Sequence, residues 1–469
     1  MKICFIPIDN RPVCWELAKL ITECDEEIEF FIPPREILGG LTTKTDVEIL
    51  YNWLQNIPKV NVMIVALDTI AYGGLVASRR TPEDLKNIKT NLEKFKSLFK
   101  EKANKILAFS SIMRISNNNY NIEEKEYWSK YGKKIFDYSY HTSKSGKWGM
   151  ESCVAKLIPD DILNDYMSTR RRNFEINKLY LEWQKEGIFD LLIFSKDDCA
   201  EYGFNVDEAK ELEKLGGKTM TGADEIPLTL LARALDKSLS ICPIFTEETS
   251  KELISKYEDI SVEASILRQT NLAGFEIKPL KDADIALIIN NFKIEQGEIV
   301  MKVDTEPFNG NFKNFLPTNK PFIIADVRYA NGADNKLVKQ LFELKPQNFI
   351  GYAAWNTTAN SVGSLLCMTK YTFNASKLNN KAYAKLLATR FLDDWAYQAN
   401  IRQEIDAPTD IKEKMLPFIQ KIENFLNIKI NNYEFKYPWN RLFETEVVLE
   451  LEINDEFNRN YTISNRTFN

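Results

Sequence analysis

The chain has 469 residues, 44% apolar and 27% charged, enough for a sizeable core in one large domain or in two to three smaller ones. Its net charge of −6 mixes both signs without a basic stripe, and no apolar run reaches the roughly 18 residues of a membrane helix. A nucleic-acid partner and a membrane span are therefore not expected, and the N-terminus, MKICFIPIDNRP, lacks the apolar core and cleavage site of a signal peptide, which predicts a cytoplasmic protein.

Lys2 to Ile8 reads as the first strand, followed by the turn Asp9-Asn10-Arg11-Pro12 and a helix from about Trp15 to Cys24. A second strand, Ile28 to Ile32, precedes a helix over Asp46 to Gln55. The continuous apolar run Val60 to Leu67 suits a strand buried on both faces; it ends in Asp68 and leads to Tyr72-Gly73-Gly74. Thr81 reads as the cap of a helix running from Pro82 to Lys100. Lys105 to Phe109 is the next strand, ending in Ser110-Ser111 and then Arg114.

Residues 117–172 form a polar, aromatic-rich insertion with His141 and Trp148, too long for a plain connector and expected to lie as helical decoration over the site. After a helix over Asn173 to Glu186 comes Phe189 to Gly203, in which the buried-strand pattern Leu191-Leu192-Ile193-Phe194 turns abruptly into Asp197-Asp198 and Glu201. Lys218 to Thr221 is a short strand before Gly222-Ala223-Asp224-Glu225 and a helix from Ile226 to Leu235. Further strands are expected at Ser240–Phe245, Ile285–Asn290, Phe322–Ala325 and Phe349–Ala354.

Strand–helix alternation over this length means a largely parallel α/β sheet covered by helices. Two architectures satisfy it. The one adopted is a decorated TIM-like (β/α) barrel over 1–370, with a strand or two outside it. The alternative is two doubly wound parallel-sheet domains, divided near residue 236, with the site in the cleft. From 371 to 469 the pattern changes to long helices, Lys377 to Asn400 and Asp410 to Leu426, then strand-like alternation over Ile428 to Ile453, read as a C-terminal helical and β appendage.

The seven cysteines are scattered without a CxxC, which speaks against a disulfide framework and against a thiolate zinc site. The one histidine, His141, lies in YHTSKSGKWG, a stretch that reads as a loop; zinc hydrolases with several His ligands are excluded, and acid–base work falls to Asp, Glu, Tyr or Lys. No GxGxxG follows a strand and no GxxxxGK[ST] occurs, so nucleotide chemistry is not indicated.

In a parallel sheet the carboxyl ends of the strands share one rim. The residues delivered there are Asp9, Asn10 and Arg11; Asp68 and Tyr72; Arg114; Asp197 and Asp198; Asp224 and Glu225; Asp326, Asn331 and Asp334; and Trp355, Asn356 and Asn360. Carboxylates and amides bind hydroxyl groups, aromatic faces stack on sugar rings, and two carboxyl groups near one bond are the minimum equipment for glycoside hydrolysis. Each has a structural counterpart. Asp9, Asp68 and the Asp224-Glu225 pair fit helix caps, Arg79-Arg80 fits a solvated pair, and Trp355 fits a core position. Asp197-Asp198 is the least easily explained by structure alone.

Taken together, PIDNRPV, ALDTIAYGGLVASRR, SIMR, KDDCAEYG, GADEI, ADVRYANGAD, GYAAWNTTANSVG and PWNRLFE, spanning residues 7 to 444, resemble the bacterial family catalogued as domain of unknown function 4127. That resemblance implies no established activity. The Asp197-Asp198 pair and the later Trp355-Asn356 segment also resemble barrel glycosidases acting on N-acetylhexosaminides. This second resemblance implies Asp197 as the orienting acid and Asp198 as the proton donor. The resulting expectation is a hydrolase with Asp197 and Asp198 catalytic, a small-molecule or oligosaccharide substrate and no cofactor. The alternatives are a Mg²⁺- or Mn²⁺-dependent enzyme acting on a phosphorylated or carboxylated molecule, and a sugar-binding protein without catalysis.

Overall fold

The computed structural model describes residues 1–146, 154–197, 199–455 and 457; Trp148, Cys153 and Asp198 lie outside the described residues. The chain forms two units. The first comprises Met1–Trp15, Glu29–Pro227 and Tyr257–Asp259, the second Glu16–Ile28, Leu228–Lys256 and Ile260–Asn469.

In the first unit, strands β1 (Lys2–Ile6), β2 (Glu29–Phe31), β3 (Val60–Ala66), β4 (Ala103–Ile112), β5 (Leu191–Lys196) and β6 (Lys218–Thr221) form a parallel sheet in the order β2-β1-β3-β4-β5-β6. The apolar runs form strands because both faces are covered: β5 is buried throughout, and β3 has only Asn61 exposed. Helices Val47–Asn56, Leu85–Lys102 and Asp160–Lys185 supply Leu50, Leu54, Ile88, Leu92, Phe95, Tyr180 and Trp183 to the core that covers it. The helix after residue 81 starts at Leu85. Its cap is Asp84, which accepts from the Asn87 amide at 2.8 Å, and Thr81 instead closes the preceding turn Leu75–Arg80. Within the insertion, His141 belongs to the helix Trp128–Ser145 rather than a loop, and Trp128, Ile135, Tyr166 and Phe204 form a smaller core beneath it.

The second unit contains β7 (Leu239–Phe245), β8 (Phe275–Ile277), β9 (Ile285–Asn290), β10 (Gly297–Glu298), β11 (Phe322–Asp326), β12 (Tyr329–Ala330) and β13 (Phe349–Ala353). Five of them make a second parallel sheet, ordered β13-β11-β9-β7-β8, while β10 pairs with β12 apart from it. The antiparallel ribbon of β14 (Ile428–Lys436) and β15 (Glu446–Ile453) completes the unit.

The parallel strands thus lie in two open sheets rather than closing into one TIM-like barrel. Apolar runs report burial on both faces, and both architectures meet that requirement; only the pairing separates them. The C-terminal region is likewise no appendage. Tyr383 donates to the Ile350 carbonyl at 2.7 Å, Phe391 stacks on Tyr352 at 4.7 Å, and Phe425 packs on Phe349 at 5.5 Å, so this region is part of the second unit's core. None of the described helices is long and apolar enough to cross a membrane.

In each sheet the chain runs from its first strand to one side, then returns to the other side. The reversal falls between β1 and β3 in the first unit and between β7 and β9 in the second. Beyond the carboxyl ends at such a reversal the loops diverge and leave a crevice, the usual ligand position in open α/β sheets.

Candidate functional site

The first unit's reversal point carries a buried charge cluster. Past β1, the Arg11 amide and Nε both donate to Asp9, at 3.0 and 2.9 Å. The same guanidinium binds Asp224 past β6, through Nη1 at 3.0 Å and Nη2 at 2.6 Å. Burial pushes the Asp224 carboxyl up, opposed by Arg11 and reinforced by Asp9. Asn10 contributes backbone: its carbonyl accepts from Arg35 Nε at 2.7 Å.

Past β3, Asp68 sits in the short helix Leu67–Tyr72, 1% exposed, and accepts from the Ser111 amide at 2.8 Å across the strand pair. Burial pushes its carboxyl up to about 7, so near neutral pH it is partly protonated and able to donate. Tyr72 is buried behind it, with Arg172 over its ring at 5.4 Å. Gly73, at φ 89°, ends this helix, and a Cβ there would lie 2.6 Å from Lys44 Cβ and 3.0 Å from the Thr45 amide, so the close approach of that loop requires glycine.

Past β4, Arg114 donates to Glu124 at 3.1 Å, to Glu123 at 2.9 Å and to Asp197 at 3.4 Å. Arg79 pairs with the same two glutamates at 3.1 and 3.4 Å, and Arg80 donates to the carbonyls of Leu41, Asn121, Ile122 and Glu124, so neither arginine is merely solvated. Glu123 and Glu124 were not singled out from the sequence; the adjacent acids in a polar insertion were the only available signal. Asp197, past β5, keeps 24% of its side chain exposed, against 18% for Glu123 and 6% for Glu124. Before it, Lys196 ion-pairs with Asp259, which also accepts from Thr221 Oγ1 at 2.5 Å.

Glu225 follows Asp224 at the start of the helix Ile226–Ala234. Its Oε2 accepts from the Ala223 amide at 3.2 Å, and burial pushes the carboxyl up to about 8. The edge therefore combines acids held toward their neutral form with cations already matched by carboxylates.

The remaining expected residues lie in the second unit. Asp326, 0% exposed, is fully engaged: it accepts from Asn290 Nδ2, the Asp334 amide and the Tyr352 hydroxyl, each at 2.8 Å. Burial, with the neighbouring Asp334 adding to it, pushes its carboxyl up to about 7. Asp334 caps the helix Asn335–Leu344 and accepts from the Phe308 amide at 2.6 Å. Arg328 ties the loops together through Asn290 at 3.1 Å and Glu247 at 2.9 Å. Trp355 is 2% exposed, edge-on to Phe443 at 5.7 Å, and so a core residue. Asn331 and Asn356 are half-buried with left-handed backbones and are joined by a 2.8 Å bond from the Asn331 amide to the Asn356 carbonyl; Asn360 donates to Thr357 Oγ1 at 3.1 Å. The expected single rim is thus divided between two sheets. Among the described residues no three His, Cys, Asp or Glu side chains converge as a metal-holding group.

This is an α/β protein of two open parallel sheets whose polar chemistry gathers at their carboxyl ends. Over residues 3–448 the chain matches the family described as protein of unknown function (DUF4127), and it belongs to that family. No curated protein and no solved structure matches it.

Proposed function

We propose that the carboxyl edge of the first unit is the active site of a carbohydrate-directed hydrolase working through carboxyl groups on an uncharged, hydroxyl-rich substrate. One observation carries this reading: Arg11, Arg79, Arg114 and Lys196 each already hold a carboxylate, while Asp197 is the most exposed of the acids around Arg114. A phosphorylated or carboxylated substrate would have to displace those pairs, whereas sugar hydroxyls bind carboxylates as they stand. Asp197, held by Arg114, orients the reacting group, and Asp198 protonates the leaving oxygen. Asp68 and Glu225, kept toward their neutral forms, donate hydrogen bonds.

The test is a panel of chromogenic glycosides, N-acetylhexosaminides included, with and without chelator. The wild type should cleave at least one of them in chelator. Asp198→Ala should lower turnover by about 10²- to 10⁴-fold with an unchanged melting temperature. Unchanged turnover in that variant rejects the assignment, and loss of wild-type activity in chelator favours a Mg²⁺- or Mn²⁺-dependent reaction. Saturable binding of a sugar without turnover would establish a non-catalytic sugar-binding role instead.

A further inference from the structure

Past β4 and Arg114 the chain enters residues 117–122, NNNYNI, a segment without a charged side chain. Its backbone is held from several sides. Arg80 donates to the carbonyls of Asn121 at 3.0 Å, Ile122 at 2.7 Å and Glu124 at 2.9 Å. Asn118 Oδ1 accepts from the Tyr120 amide at 3.0 Å. Asn119 Oδ1 accepts at 2.9 Å from the Lys133 amide, on the helix Trp128–Ser145. Glu123 and Glu124, which follow directly, are bound by Arg79 and Arg114.

This anchored loop nevertheless keeps large apolar side chains in water. Tyr120 is 73% exposed and Ile122 54% exposed, and the Tyr120 side chain has no hydrogen-bond or ring partner among the described residues. Apolar side chains held in water on an ordered backbone, and rimmed by polar groups, mark a binding surface, because little ordering remains to oppose a ligand. Asn118 and Asn119 use their oxygens on the backbone, so their Nδ2 groups remain available as donors. An aromatic face beside amide donors and without charge suits the apolar face and the hydroxyls of a neutral sugar. The loop is also continuous with the proposed site. The Tyr120 Cα lies no more than roughly 11 Å from that of Glu123 by chain length alone. Glu123 accepts from Arg114 at 2.9 Å, and Arg114 donates to Asp197 at 3.4 Å.

We propose that Tyr120 is the stacking platform of an outer subsite, which takes a sugar unit beyond the one that reacts, so that the substrate is a neutral oligosaccharide rather than a monosaccharide derivative. The inference rests on the carbohydrate-directed reading of the same edge and adds chain length to it. Tyrosine supplies the flat contact at low conformational cost, Ile122 extends the apolar surface, and Asn118 and Asn119 donate to hydroxyls.

Calorimetric titration with tetra-N-acetylchitotetraose, cellotetraose and maltotetraose, and with N-acetylglucosamine and glucose as their monosaccharides, tests it. The full chain is titrated as wild type and as Asp198→Ala, which on the hydrolase reading leaves the sugar uncleaved. At least one tetrasaccharide should bind about tenfold or more tightly than its monosaccharide. Tyr120→Ala should remove that advantage and leave the monosaccharide affinity and the melting temperature unchanged. Tyr120→Phe, which keeps the ring, should retain most of it. Tetrasaccharide binding that depends on Tyr120, with no turnover, would defeat the hydrolase and leave the subsite standing; cleavage of chromogenic monosaccharide glycosides with no preference for a tetrasaccharide would do the reverse. The proposal is overturned if no tetrasaccharide binds more tightly than its monosaccharide, or if Tyr120→Ala binds it as the wild type does. It is also overturned if the loop instead joins two copies of the chain, seen as a concentration-dependent dimer that Tyr120→Ala abolishes while no sugar binds.

Discussion

Arg11 and Asp224, 213 positions apart in the chain, are joined by two hydrogen bonds, Nη1 to Oδ2 at 3.0 Å and Nη2 to Oδ1 at 2.6 Å, while Nε of the same guanidinium holds Asp9 at 2.9 Å. One cation thus ties the loop after the first strand of the sheet to the loop after its last. Arg11→Met leaves two buried carboxylates uncompensated and should cost about 3–5 kcal/mol in urea unfolding. Adding Asp9→Asn and Asp224→Asn should restore at least half of that, and a loss confined to the noise would mean that the bridge carries no stability.

Asp68 makes the protein's stability depend on pH. Its carboxyl is raised to about 7 from an ordinary value near 3.8, so the folded state binds its proton more tightly than the unfolded chain does. This contribution is fully present below the unfolded value and is lost as pH rises through the folded one. Asp68→Asn, which still accepts from the Ser111 amide, should flatten the fall in melting temperature between pH 4 and 8. A variant profile parallel to the wild type would remove Asp68 as the cause.

Gly222, at φ 114°, has Glu225 folded against it: a Cβ at that position would lie 1.7 Å from Oε1. Gly222→Ala should therefore destabilise by about 1–3 kcal/mol from backbone strain and from displacing the carboxyl. Removing the carboxyl as well, in Gly222→Ala/Glu225→Ala, should cost less than the sum of the two single changes, because the clash is shared.

The Tyr352 hydroxyl is one of three donors to the buried Asp326. Tyr352→Phe removes that donor without changing the ring stacked on Phe391 and should cost about 1–3 kcal/mol by thermal or urea unfolding. No measurable change would show that the two remaining donors satisfy the carboxyl.

Strand positions were legible because double-sided burial writes itself as apolar runs: Ile285–Asn290, buried throughout, occurs as expected. Sheet membership was not, since partners are chosen by contacts far apart in sequence. The strand Phe275–Ile277 was invisible, being three residues with two exposed. Of the expected polar residues, Asp9, Arg11, Asp68, Arg114, Asp197, Asp224 and Glu225 all lie in the first unit, because each follows a strand of its sheet. Asp259 escaped notice because it follows no strand, and Asp393-Asp394 because a long helix was expected there. That segment instead forms a widened π-helical turn, Phe391–Tyr397, with Asp394 holding the Ala354 amide and Arg390, each at 2.6 Å.

The first unit takes in Tyr257–Asp259, from well past its last strand, and the second reclaims Glu16–Ile28 from near the start. A gene cut after Pro227 would accordingly not release two self-sufficient halves: the upstream fragment would lose the Asp259 counter-ion of Lys196 and retain a helix belonging to the other polypeptide. Such interleaving makes the protein a poor candidate for modular shuffling, and its halves are expected to be inherited, expressed and folded together.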